Sequence, residues 1–370
     1  MNFLEECIAR FENEKEYNIV NSKLVNHITP LVSVTVSTYQ HKNYIKDCLE
    51  GILMQETNFP VEIIIGEDES TDGTREICIE YAKKYSDKIR LFLRNRKTSQ
   101  LYDSKNNFVM MLNIWWTMMS ARGKYISICE GDDYWTDPHK LQKQVDFLEE
   151  HNECTLCFHR VKIREEELEP LDFFPKQKLK EFVDIEEILN DDFIPTASIV
   201  FRREMLKKIP NWMMGFVFGD RAINLVCAQH GKIRYIDDVM GIYRSHPGSI
   251  WTSQYKSVGG WINADIKIFE FYEMAVKYFD KKYLHIINYK RINFCLGIAR
   301  GYCCLGQKKK ALKYLKQAMD IILKSSGLTI KEKIRFIVKV AKISFLAAFT
   351  GGNQQKNRQT KNASASEAAR

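Results

Sequence analysis

Three carboxylates, Glu130, Asp132 and Asp133, crowd the end of a short apolar run, Tyr125-Ile126-Ser127-Ile128-Cys129. A run of that length and composition predicts a buried strand, so the acids would gather at its C-terminal end. Carboxylates packed this closely repel one another unless a cation or hydrogen-bond donors hold them. Oxygen ligands of this kind suit Mg2+ or Mn2+, usually beside substrate phosphates. A solvated acidic loop has the same composition; position separates the two, because open α/β sheets bind ligands at the carboxyl ends of their strands. A second acidic stretch, Glu67-Asp68-Glu69-Ser70-Thr71-Asp72, follows the apolar run Val61-Glu62-Ile63-Ile64-Ile65. Neither stretch has the glycine spacing of a phosphate-cradling loop, so a metal would have to meet the charge of a pyrophosphate.

The elements that must position these acids can be read in order. Val32, Val34 and Val36 alternate as a strand should and lead into the polar Ser37-Thr38-Tyr39-Gln40. A helix carrying Tyr44, Ile45, Cys48, Leu49 and Ile52 follows, and the run 61–65 predicts a strand covered on both faces. A helix with Ile77, Tyr81 and Tyr85, a strand from Ile89 to Leu93 and a helix from about Asn106 to Ala121 complete the approach to Tyr125. After the acids, Asp137-Pro138 reads as an N-cap and first helical residue, with Leu141, Val145 and Leu148 on one buried face. Alternating strand and helix predicts an α/β fold with a mostly parallel, doubly wound sheet.

Three motifs in this order resemble the nucleotide-binding half of family 2 glycosyltransferases. They are Val32-Ser33-Val34-Thr35-Val36-Ser37-Thr38-Tyr39-Gln40, then the stretch from Glu62 to Thr74 containing Ser70-Thr71-Asp72-Gly73-Thr74, then Glu130-Gly131-Asp132-Asp133-Tyr134-Trp135. The resemblance reaches to about Trp251 and implies the GT-A fold and inverting transfer from a nucleoside diphosphate sugar, with UDP the expected nucleotide. It implies that Ser37 and Tyr39 contact the base and that Asp68 reads the uracil or its ribose. It places Asp132 near ribose and pyrophosphate, and Asp133 on a divalent cation, Mg2+ or Mn2+. Glu67 and Glu130 stand where the family usually has Asp, so each oxygen sits about one methylene further out.

The resemblance also organises residues 151–258 as the acceptor half. Pro195–Phe201 reads as a strand and Arg202-Arg203-Glu204 as the start of a helix. Gly219-Asp220 occupies the place of the family's catalytic base, although an Asp opening a helix also serves as an N-cap. An inverting transfer needs one carboxylate to take the acceptor proton and no nucleophile. Tyr243-Arg244-Ser245-His246-Pro247-Gly248-Ser249-Ile250-Trp251 matches a family motif; it implies that His246 reaches the metal or pyrophosphate and that Arg244 neutralises phosphate charge. A sugar nucleotidyltransferase would want a Gly-rich, Arg/Lys-bearing loop after the first strand, and Ser37-Thr38-Tyr39-Gln40-His41 is unlike one. A degenerate sugar-nucleotide-binding scaffold is the rival outside catalysis.

The formal charge of +8 is concentrated. From Lys308 to Arg370 there are fifteen Lys/Arg against three Asp/Glu, a net +12, which leaves −4 elsewhere. The basicity therefore says nothing about the acidic site, and no nucleic-acid partner is expected. The ten cysteines are scattered, and Cys154 and Cys157 lie in an apolar run, which reads as free thiols of a cytoplasmic protein. The chain is expected to divide into a helical leader (1–30), a glycosyltransferase domain (31–258, with halves 31–150 and 151–258), a helical region (259–350) and a disordered tail (351–370). Within the helical region, 296–318 resembles one tetratricopeptide-like pair, which cannot bury itself alone. Residues 330–349 read as a basic amphipathic helix with Ile334, Ile337, Val338 and Ala341 on one face. Such a helix can lie on an anionic membrane, which would suit a lipid-linked saccharide acceptor at the inner face of the plasma membrane.

Overall fold

The computed structural model describes residues 29–102, 108–165, 172–191, 193–214, 219–246, 248–249 and 256–349, with Phe11 and His27. Most of the expected leader 1–30, residues 166–171, Pro247, Ile250, Trp251 and the tail 351–370 lie outside the described residues. The chain forms two compact units, Met1–His246 and Pro247–Arg370.

In the first unit, β1 (Val32–Thr38) lies parallel between β2 (Val61–Glu67) and β6 (Tyr125–Ile128), and β3 (Ile89–Leu93) extends the sheet beyond β2. Val32, Val34, Val36 and Ile63–Ile65 are all buried, as strands covered on both faces require. The connecting helices are α1 (Ile45–Leu53) and α2 (Thr74–Lys84). α1 buries Ile45, Cys48, Leu49 and Ile52. It also presses Gly51 against the short strand β7 (Tyr134–Trp135), where a Cβ would stand 2.8 Å from the Trp135 carbonyl oxygen.

The helix expected over 106–121 is cut short. After α3 (Arg96–Ser99), β4 (Gln100–Tyr102) pairs antiparallel with β5 (Phe108–Met111), and α4 runs only from Asn113 to Met119. Phe108-Val109-Met110-Met111 carries residues suited to either state, and the pairing partner upstream decides it.

Beyond β6 the sheet turns mixed. β11 (Val200–Arg202) pairs antiparallel with both β6 and β8 (Cys154–Glu165). β8 pairs in parallel with the long β12 (Lys232–Ser245), and β9 (Asp172–Phe174) and β10 (Phe182–Val183) sit antiparallel on β8 and β12. The stretch expected as strand 195–201 and a following helix is a 3-10 turn at Thr196–Ser198, then β11, then a 3-10 helix at Arg203–Lys208. The helix after the acidic loop, α5 (Lys140–Glu150), begins later than Asp137-Pro138 predicts. Asp137 Oδ1 accepts from the His139 N–H at 2.8 Å, so it closes a turn before the helix rather than capping it. Leu141, Val145 and Leu148 are buried as expected. The remaining helices of this unit are α6 (Ile185–Asn190), α7 (Asn211–Met214) and α8 (Gly219–His230). Cys154 and Cys157 are buried free thiols.

The second unit packs α9 (Val258–Tyr278), α10 (Leu284–Cys304), α11 (Lys308–Lys324) and α12 (Ile330–Phe349) around Ile292, Ile298, Leu315, Ile322, Phe336 and Val340. The repeat-like pair is α10 with α11, buried by its helical neighbours. On α12 the inward face is Phe336, Val340, Ile343 and Ala347, while Ile334, Ile337, Val338 and Ala341 face outward. No described helix is long and apolar enough to cross a membrane.

Candidate active site

β1 supplies the floor on which both acidic loops rest. The Asp68 N–H donates to the Thr38 carbonyl at 3.1 Å, and the Gly131 N–H donates to the Ser37 carbonyl at 3.0 Å. Since β2 and β6 flank β1, the two loops emerge side by side at the carboxyl end of the sheet, as the sequence predicts.

The first loop is neutralised from within. Glu67 is wholly buried, paired with Arg75, and accepts the Ser70 N–H at 2.7 Å. Asp68 accepts from Arg96 at 2.6 Å and from the Ser99 hydroxyl. Burial nevertheless pushes the Asp68 carboxyl above its ordinary range. The Arg96 guanidinium lies 3.4 Å over the ring of Tyr39, tying the predicted base-contact residue to the predicted base-reading acid. Ser37 is half-buried beside them.

The second loop is held differently. Two-stranded pairing of Tyr134 with Ile242 and Trp135 with Gly241 clamps it to the end of β12. The Arg244 N–H then donates to Asp133 Oδ1 at 2.9 Å, and the Arg244 side chain donates to the Asp132 carbonyl at 3.2 Å. That side chain is anchored by Asp47 of α1 and stacks over Tyr134 at 4.4 Å. Asp133 Oδ2 is buried without a partner. Burial, with Asp132 and Glu130 close by, drives the Asp133 carboxyl well above its usual range. Glu130 is pushed up to about 8 by burial and by the charges of Asp132 and Asp220. Asp132 moves the other way: burial raises it, but the His246 hydrogen bond at 3.1 Å and the nearby His41 bring it below the ordinary value. Among the described residues, no lysine or arginine side chain pairs with these three carboxylates.

Asp220 lies in the first turn of α8, half-buried, and its Oδ2 accepts from the Thr196 hydroxyl at 2.7 Å. Its charge is felt by Glu130 and by Tyr243, whose phenol is raised by burial and by Asp133, Glu130, Asp132 and Asp220. All four acids therefore lie close enough to Tyr243 to oppose its ionisation. Sequence reasoning named Asp220, Arg244 and His246 but missed Tyr243, Thr196, His41, Tyr44 and Asp47. Tyr243 stood inside a quoted motif; the other four lie on elements whose mutual approach no local pattern announces. A separate groove lined by Pro30, Asn58, Arg122, Lys124, Arg203 and Lys207 opens where β1 and β6 begin, away from the acids.

A divalent cation fits the second loop. The donor atoms of Asp132, His41 and His246 lie within 4.8 Å of one another, and the neighbouring Asp133, outside that group, carries an orphaned buried carboxylate oxygen; oxygen and imidazole donors of this kind are what such an ion requires.

Residues 33–209 match the sequence model of glycosyl transferase family 2. An uncharacterized protein of Mycobacterium tuberculosis is 36% identical over 225 residues, 60% of this chain and 61% of that protein. The chain thus spans about three-fifths of the length of these relatives. Bacillus subtilis TuaG, provisionally named a teichuronic acid biosynthesis glycosyltransferase, is 28% identical over 49% of this chain and 65% of its own. Among solved structures, a 1–349 fragment of S. aureus TarS in complex with UDP-GlcNAc superposes with a TM-score of 0.54 at 16% identity, covering 86% of this chain and 90% of that one. Mannosyltransferase PcManGT from Pyrobaculum calidifontis, in complex with GDP-Man and Mn2+, gives 0.50 at 15% identity over 94% and 95%. At such identities the structural likeness concerns the fold, which is GT-A-like with an added helical region. Motifs, sheet order and family match agree, and the domain at residues 33–209 belongs to glycosyl transferase family 2.

Proposed function

We propose that this chain is an inverting glycosyltransferase. It moves a sugar from a nucleoside diphosphate donor, with UDP the expected nucleotide, to a hydroxyl of a cell-surface polysaccharide or lipid-linked saccharide. The observation that carries this reading is the gathering of Glu130, Asp132, Asp133 and Asp220 within one another's electrostatic reach at the carboxyl end of the sheet, where the loop of Asp68 also rests on β1. UDP-GlcNAc and GDP-Man in the complexes of TarS and PcManGT support the donor class.

In this reading Ser37 and Tyr39 receive the base, with Arg96 stacked on Tyr39, and Asp68 reads the uracil or ribose. Glu67 holds the loop through Arg75. Asp132, Asp133 and His246 hold a divalent cation, Mg2+ or Mn2+, and Arg244 keeps Asp133 in place through its backbone N–H. A bound cation supplies positive charge to the departing diphosphate. Asp220 accepts the proton of the acceptor hydroxyl, whose oxygen bonds to the anomeric carbon as that carbon's bond to the diphosphate oxygen breaks on the opposite face. Thr196 donates to Oδ2 of Asp220 and so orients it. Glu130, raised towards neutrality, limits the negative charge that must gather beside Asp132.

A peripheral place at an anionic membrane surface is part of the same reading. On α12, Ile330, Ile334, Val338 and Phe345 are 78%, 57%, 47% and 65% exposed, and Lys331, Arg335, Lys339 and Lys342 occupy the same helix. An outward apolar stripe bordered by cations is the arrangement that lies in a lipid headgroup layer.

The test is release of UDP, GDP or dTDP from their sugars by the purified chain with Mn2+, Mg2+ or EDTA. Slow, metal-dependent release from one sugar supports the reading; failure of every nucleotide to bind with metal overturns it in favour of a scaffold.

A further inference from the structure

We propose that His41 is a further protein ligand of the cation held by Asp132, Asp133 and His246, and that the two imidazoles so gathered on Asp132 select Mn2+ over Mg2+. The inference rests on the reading above, in that this cation is the one that accompanies the nucleoside diphosphate.

His41 comes from the turn between β1 and α1. Its Nε2 stands 3.8 Å from Asp132 Oδ2, and the Nε2 of His246 stands 3.1 Å from the same oxygen. The two rings meet edge to face with centroids 6.0 Å apart. Donor atoms around one ion at roughly 2.1–2.2 Å lie at most about 4.4 Å apart. The three atoms here lie within 4.8 Å of one another, so a closure of at most a few tenths of an ångström, on the order of the tolerance of such sites, seats an ion.

The outer contacts favour ligation over a chance meeting of side chains. Nδ1 of His41 is 3.3 Å from the Thr38 hydroxyl, which leaves Nε2 towards Asp132. A ligating histidine characteristically has its other ring nitrogen engaged in this way. Gly131 makes room for the pair: a Cβ there would stand 2.6 Å from Thr38 Oγ1 and 2.8 Å from His41 Nδ1. The His246 ring is braced by Tyr44 at 4.6 Å. His41 and Asp132 are part-exposed, each side chain 16% accessible, so the seat is not sealed from solvent.

The donor set decides the metal. Mg2+ dehydrates reluctantly and prefers oxygen and water, whereas imidazole suits first-row transition ions. Two imidazole nitrogens beside carboxylate and phosphate oxygens therefore weigh against Mg2+ and leave Mn2+ the better held of the two ions.

The experiment uses the full chain, stripped of metal, with UDP present. Mn2+ binding is followed by loss of its free electron-paramagnetic signal, and pulsed measurements count the coupled imidazole nitrogens. Wild type is expected to show two imidazoles and His41→Gln one. The variant's Mn2+ affinity should fall by roughly 10–100-fold, with Mg2+ affinity changed much less. A His41→Gln protein that melts as wild type yet keeps both its nitrogen count and Mn2+ affinity overturns the assignment of His41 while leaving the glycosyltransferase reading intact. Nucleotide binding without any bound Mn2+ in wild type overturns the whole seat. Loss of both nucleotide and metal binding overturns the glycosyltransferase reading as well.

Discussion

Two groups of buried and half-buried carboxylates belong to the strands on either side of β1, and they are treated in opposite ways. Glu62 and Glu67 on β2 are enclosed by guanidinium groups: Arg122 and Arg90 on Glu62, Arg75 on Glu67. The Ser33 hydroxyl adds a 2.6 Å bond to Glu62. Glu130, Asp132 and Asp133 after β6 receive imidazoles, a backbone N–H and one another. A buried carboxylate without a counter-charge is costly; the first group has its counter-charge within the fold, and in the proposed reading the second receives it from a bound cation. The sequence EGDD alone does not separate these roles from those of the GEDE run; the arginines do.

That contrast can be broken from either side. The largest effect is expected at the proposed base: Asp220→Asn should lower transfer by roughly 10²–10⁴-fold while donor binding, measured by calorimetry, stays near wild type. At the scaffold, Arg75→Met leaves Glu67 buried without its partner. It should cost roughly 3–5 kcal/mol of stability in urea unfolding. Asp133→Asn should behave inversely. In metal-free buffer it removes a buried carboxylate whose charge the fold disfavours and leaves the melting temperature equal or higher, yet metal-dependent nucleotide binding weakens. A fall in melting temperature like that of Arg75→Met would erase the distinction between the two loops.

The smallest effect concerns Lys140, wholly buried beneath the acidic loop, with Nζ 2.7 Å from the Ser127 hydroxyl and 3.8 Å over the Trp135 ring. Burial lowers its amine to about 7 from the ordinary 10.5. Between those values the unfolded chain carries a proton that the folded chain does not. Stability therefore rises with pH across that window, by up to about 1.4 kcal/mol per pH unit, and this contribution is flat below it. Lys140→Met should flatten the slope in unfolding measurements from pH 7 to 10.

Much of this was legible in the residues. Valine alternation in 32–36 and the isoleucine run at 63–65 fixed two strands, because burial on both faces leaves few alternatives. The acidic loops fell at strand ends because apolar runs stop there. What stayed hidden depends on distant partners. Phe108–Met111 becomes a strand only because Gln100–Tyr102 pairs with it, and Asp137 loses its cap role to a turn. On α12 the more crowded apolar face, Ile334 to Ala341, turns outward, because Phe336 and Val340 fit the neighbouring helices. His41 meets Asp132 across 91 residues, and Asp47 meets Arg244 across 197. Local spacing carries no signal for either.

The most direct test of the central claim is calorimetric titration of nucleoside diphosphates, UDP first, into the metal-free chain with Mn2+ or with EDTA. The account predicts binding in Mn2+ that weakens by at least about tenfold in EDTA, the lower end of what losing a well-held metal contact costs. It also predicts that Asp132→Asn abolishes this difference. Equal affinity in Mn2+ and EDTA, or no binding in either, would contradict it.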